Sequence, residues 1–169
     1  MTGLSAFMPM FKILLAGDGG QGIQLLSNII SESAFEKGLE VTHIPNYGLE
    51  QRGGVSLAFI KIDDKKIPYP KFTTPDLMLV MSSQARERVE GHLGEGQEVL
   101  DIKDFKERLD GENIVLRSWN IFFLGAILKR LDGEGLVDMD FAKKYLENKL
   151  SSKPGWEDNL KAFEFGFKS

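Results

Sequence analysis

The chain has 169 residues, 42% hydrophobic and 27% charged, with a formal net charge of −4. That length suits one soluble domain with a sizeable core, and the charge argues against nucleic acid as a partner, which needs a concentrated basic face. No cysteine is present, which excludes disulfides and a thiolate cage for an iron–sulfur cluster.

The start, MTGLSAFMPMF, has no basic segment and no cleavage signature, so no signal peptide is read and a cytoplasmic protein is expected. FKILLAG (11–17) is a short apolar run ending in glycine, the pattern of a strand buried on both faces. DGGQG follows, then IQLLSNIISESAFEKG, where Ile23, Leu26, Ile30 and Ala34 recur at helical spacing. Lys37 and Gly38 supply the positive end and the glycine stop of that helix. VTHIP (41–45) is a second strand, closed by proline. VSLAFIKI (55–62) and KIPY (66–69) flank Asp63-Asp64 and read as a hairpin. PDLMLVMS (75–82) is an apolar strand, SQARERVEGHLG a helix ended by glycine, EVLDI a short strand and NIVLR (113–117) a further candidate strand.

WNIFFLGAILKRLDG is a strongly apolar helix suited to pack on a sheet. Its run IFFLGAIL has 8 residues, against about 20 for a membrane span, so no membrane partner is expected. Asp138 can cap a helix through Leu150. Trp156, Leu160 and Phe163 mark a last helix at i, i+4 and i+7. Met8, Met10, Met78, Met81, Phe122 and Phe123 are read as core residues. His43 and His92 lack ligand-type neighbours at metal spacing. Alternating strands and helices predict an α/β three-layer sandwich, with a Rossmann-like, mostly parallel sheet and a mixed edge hairpin. No linker divides the chain, so a single domain over 1–169 is expected, with its core at about 11–166.

Two glycine-rich segments stand out. Gly17, Gly19 and Gly22 satisfy G-x-G-x-x-G after a strand and before a helix, where a helix N-terminus can meet an anion. A dinucleotide site also wants an acid ending the second strand, and Glu40 lies at that strand's wrong end. The glycines therefore leave open a close-packed turn, a stand-alone NAD(P)-binding oxidoreductase domain, or another ligand or partner surface. The second segment, NYGLEQRGG (46–54), should reach the same sheet edge. Tyr47 offers a flat face and a hydroxyl. Glu50 and Arg52 can pair, or Arg52 can face an anion. A surface pair alone contributes only ~0–1 kcal/mol, so stability explains it poorly.

GDGGQG after strand one and YGLEQRGG after strand two resemble the gamma subunit, or gamma domain, of 2-oxoacid:ferredoxin oxidoreductases. The resemblance runs on through Ile67-Pro68, Pro75-Asp76, Asn120, Leu124-Gly125, Ala162-Phe163 and Gly166. It implies CoA-dependent oxidative decarboxylation of a 2-oxo acid, such as pyruvate or 2-oxoglutarate, to an acyl-CoA, with electrons passed to ferredoxin. It implies alpha, beta and delta subunits as partners, with thiamine diphosphate, Mg2+ and [4Fe–4S] clusters held elsewhere in the complex. No catalytic residue or metal ligand is implied on this chain. Gly19, Gly20, Gln21, Gly22, Tyr47, Gly48, Glu50 and Arg52 would form a crevice facing the other subunits and helping to hold CoA. A pure assembly scaffold is the other reading.

Overall fold

The computed structural model describes residues 8–47 and 54–169. β1 (Phe11–Asp18) is followed by α1 (Ile23–Glu36), β2 (Glu40–Tyr47), β3 (Val55–Asp63), β4 (Leu77–Val80), α2 (Ser83–Arg88) and β5 (Glu98–Asp101). Then come α3 (Ile102–Gly111), α4 (Trp119–Gly133), α5 (Met139–Leu150) and α6 (Trp156–Phe167). The strand order is β2-β3-β1-β4-β5. β1 pairs parallel with β4, and β4 with β5; β3 is antiparallel to both β1 and β2. Four strands thus share one direction and only β3 opposes them.

β1 lies between two partners and is apolar without alternation, as a doubly covered strand must be. Ile13, Leu14, Leu15 and Ala16 are all fully buried. Ile13 and Leu15 join Ile60, Ile62, Leu77 and Leu79 beneath the large helical layer, to which α1, α3, α4, α5 and α6 contribute. Leu14 and Ala16 face the other way, with Met78 and Val80, under Ala85 and Val89 at α2. The sandwich is therefore three-layered but lopsided. In the thick layer Phe105, Phe122 and Phe123 meet at centroid distances of 5.1–5.8 Å. α4 and α6 cross on Gly125 and Gly166, where main chain touches main chain.

The hairpin is not the one the sequence suggests. Val55–Asp63 pairs backward with Glu40–Tyr47, in register from Tyr47↔Ser56 to Glu40↔Asp63. Its other edge is taken by β1 over eight residue pairs. No edge of β3 is left for Lys66–Tyr69, which is irregular. The hairpin thus forms between β2 and β3, on either side of the glycine-rich segment, and not about Asp63-Asp64.

NIVLR is no strand either. Asn113 has φ 55, a left-handed stop, and the Ile114 amide bonds Leu109 O at 2.9 Å to close α3. The chain then makes a 3-10 turn at Leu116–Ser118 and enters α4. α3 itself is absent from the sequence reading. Asp101 starts it, accepting from the Lys103 amide at 3.1 Å. SQARERVEGHLG splits into α2 and a 3-10 turn at Glu90–His92. Among the described residues, no helix is long and apolar enough to cross a membrane.

Candidate functional site

β1 and β4 are parallel neighbours, yet the helices that follow them leave to opposite faces. Such a divergence opens a crevice at the carboxyl ends of the strands, where open α/β sheets bind their ligands. The first glycine loop, Asp18–Gly22, lies at this rim. The second joins β2 to β3, and its flanks reach the same rim: Asp18 pairs with Val55 and Tyr47 with Ser56.

The two segments touch. The Gly19 amide donates to Gly54 O at 2.9 Å. Gly48, Glu50 and Arg52 lie outside the described residues, as does the side chain of Tyr47. The structure thus brings Gly19, Gly20, Gln21 and Gly22 together with the end of the second loop at Gly54.

The glycines of this segment are not equivalent. A Cβ on Gly17 would stand 2.8 Å from Ile23 Cγ1, so this glycine lets α1 pack on β1. Gly22 has φ +76, and a Cβ there would meet Asn120 Nδ2 at 2.6 Å. Gly20 has φ +91 and open space around it, a conformation that costs other residues about 1 kcal/mol or more. Gly19 has neither constraint: among the described residues its nearest neighbour would be Gly54 O at 3.6 Å, an ordinary contact.

Gln21 is half-buried. Its Oε1 accepts from the Asp18 amide at 2.7 Å and its Nε2 donates to Met81 O at 3.0 Å. The side chain therefore straps the end of β1 to the end of β4. Asn120, on the first turn of α4, donates to Gln21 O at 3.1 Å. Ser82 Oγ donates to Asp18 Oδ1 at 2.7 Å while accepting from the Ala85 amide at 2.9 Å, capping α2. Gln24 Nε2 reaches Ser56 Oγ at 2.9 Å and Leu57 O at 3.1 Å, tying α1 to the start of β3. What this leaves at the rim is the start of α1. Its N-cap, Gly22, offers no side-chain cap, so the first-turn amides and their positive end point to the crevice.

Farther along the rim, Arg86 makes a two-pronged ion pair with Asp101. Burial alone would raise the Asp101 carboxyl, but the Arg86 hydrogen bonds and the Lys103 amide outweigh it and hold the group below the usual carboxylate range. Among the described residues no cluster of His, Asp or Glu is placed to hold a metal ion. The polar struts Asn120, Ser82 and Gln24 were not among the candidate site residues. The one local sign of them is an isolated amide in an apolar helix, as in WNIFF.

The family model for pyruvate ferredoxin/flavodoxin oxidoreductase matches residues 12–107. The 2-oxoglutarate synthase subunit KorC of Methanothermobacter marburgensis is 30% identical, over 92% of this chain and 94% of its own length. The pyruvate/ketoisovalerate oxidoreductases common subunit gamma of Pyrococcus abyssi is 29% identical, over 94% and 96%. Among solved structures, the keto/oxoacid ferredoxin oxidoreductase gamma subunit of Geobacter sulfurreducens superposes with a TM-score of 0.69 at 26% identity, covering 95% of each chain.

Proposed function

The chain belongs to the pyruvate ferredoxin/flavodoxin oxidoreductase family, and from that premise we propose that it is the gamma subunit of a multisubunit 2-oxoacid:ferredoxin oxidoreductase. The assembled enzyme decarboxylates a 2-oxo acid oxidatively, forms an acyl-CoA and passes electrons to ferredoxin in the cytoplasm. The observation that carries this reading is the end-to-end match to KorC, a subunit of nearly the same length.

This chain is a noncatalytic part of that enzyme. It has no cysteine to ligate a cluster, and by the family resemblance thiamine diphosphate, Mg2+ and [4Fe–4S] clusters are assigned to the alpha, beta and delta subunits. Its own contribution is the rim. The uncapped start of α1 offers amides and a positive end to an anionic group, which suits the phosphates of CoA. Gly19 supports this role, because neither its backbone angles nor its contacts among the described residues require a glycine. The loop is pre-shaped by Gln21 and Asn120, which lowers the ordering cost of binding.

The test is reconstitution from co-expressed subunits. The chain should co-purify with the thiamine-binding subunits, and complex depleted of it should lose CoA-dependent reduction of ferredoxin. Gly19→Val should raise the KM for CoA about tenfold or more without changing the chain's melting temperature. Full activity in complex lacking the chain would overturn the subunit assignment; an unchanged KM in Gly19→Val would overturn the CoA role alone.

A further inference from the structure

The two faces of the sheet are covered very unequally. Five helices contribute to one, whereas the other is roofed by the six-residue α2, which packs on β1, β3 and β4. Toward β2 the thin face has no helix as its roof among the described residues. Instead it holds an open depression of about 250 Å3, lined by Ile44, Asn46, Phe59, Lys71, Phe72 and His92.

The walls of this depression are fixed. Phe59 meets Phe72 edge-on at a centroid distance of 5.4 Å and His92 at 5.5 Å. His92 Nδ1 is 2.6 Å from Thr73 O. The buried Lys61, on the same face of β3 as Phe59, donates to Tyr69 O at 2.5 Å and so pins the segment before Phe72 to the sheet. An apolar floor between ordered aromatic walls is the form of an energetic anchor site, in contrast to a loose surface dimple.

Its charge is also distinct. Among the described residues its lining carries one formal cation, Lys71, and no carboxylate, in a chain whose net charge is −4. Lys71, at the mouth, has no ion-pair or hydrogen-bond partner among the described residues. The larger groove between α5 and α6 makes a poorer anchor. Its rim is balanced, with Lys143 and Lys168 against Glu147 and Glu164, and Lys143 already lies over the Phe167 ring.

We propose that this thin face is the docking surface for a neighbouring subunit of the oxidoreductase, whose contact segment places an apolar side chain over Phe59 and Phe72 and acidic side chains against Lys71. The inference rests on the gamma-subunit reading. It assigns assembly to the sheet face beside β2 and leaves the helical layer outward.

The test uses the purified chain and complex depleted of it, with binding measured at low and high salt. Wild-type chain should bind, and more weakly at high salt, because rim charges are screened. Lys71→Glu should weaken binding about tenfold or more with an unchanged melting temperature. Ile44→Glu should weaken it further; should that variant unfold, Lys71→Glu alone decides. Wild-type affinity in Lys71→Glu, or a loss of binding in Lys143→Glu instead, would overturn the surface while leaving the subunit assignment intact. An altered KM for CoA in Lys71→Glu with unchanged assembly would also overturn it, by making the depression a ligand pocket. Failure of the wild-type chain to bind would overturn both readings.

Discussion

At the α4–α6 crossing, a Cβ on Gly166 would stand 1.9 Å from Phe122 O, and one on Gly125 would stand 2.3 Å from Phe163 O. At the β1–α1 turn, among the described residues, a Cβ on Gly19 meets nothing nearer than 3.6 Å, and one on Gly20 meets nothing within 4 Å. The first pair is explained inside the chain, since two helices can approach this closely only where neither has a side chain. Gly20 is explained by its backbone angle. Gly19 is explained by neither. The two regions are also fastened differently. The crossing is held by shape, with Phe122 and Phe123 packed around it, and the rim by polar side chains that brace one loop against another.

Four substitutions break or sharpen this contrast. Gly166→Ala should have the largest effect. The clash is with main-chain atoms that cannot rotate away, so a loss of about 3 kcal/mol or more is expected, read from chemical denaturation. A loss below about 1 kcal/mol would mean that the helices part easily and that shape is not what holds them. Asp101→Ala comes next, at about 2 kcal/mol, because it strips a hydrogen-bonded partner from Arg86 and the cap from α3. This stabilisation depends on pH with a definite sign. The carboxyl is depressed in the folded chain, so its contribution is present above the ordinary value of 3.8 and is lost as pH falls through the lower, folded value. The ion-pair part of the gap between wild type and Asp101→Ala should close below that point.

Gln21→Ala removes two hydrogen bonds and should cost about 1–2 kcal/mol. If the rim is fastened separately from the crossing, amide exchange should quicken in Asp18–Gly22 while α4 and α6 stay protected. Equal quickening throughout would erase the distinction. Gly19→Ala should be the smallest, within about 0.5 kcal/mol of wild type. A larger loss would show that the fold itself needs this glycine, and the argument for an outside group would lapse.

Where local chemistry decides, the sequence is an accurate guide. The apolar helix is read at 119–133 and found there, and Asp138 caps a helix ending at Leu150 by accepting from the Phe141 amide at 3.0 Å. Gly38 stops α1 with φ +93. The hairpin was misread because pairing is a competition. Val55–Asp63 could have turned at Asp63-Asp64, but β1 and β2 offered eight pairs on each side, and nothing local to Lys66–Tyr69 reveals that both edges are already taken. α3 was missed because Ile102, Phe105 and Leu109 are few apolar marks in a charged stretch. At the rim the glycine spacing is legible, and so is the shared edge of the two segments. The role of Gln21 is not, because one of its partners, Met81 O, is 60 residues away, and Asn120 reaches Gln21 across 99.

β3 is the one strand that runs against the rest, and this has a consequence for how such a protein can vary. In a purely parallel sheet, any segment at the carboxyl edge leads onward to a crossover helix, so changing its length shifts a helix. Here the second glycine segment is the tip of a hairpin and leads nowhere but back into the sheet. Doubling such a tip costs only about 0.6 kcal/mol in closure entropy. Its length can therefore change while every helix keeps its seat.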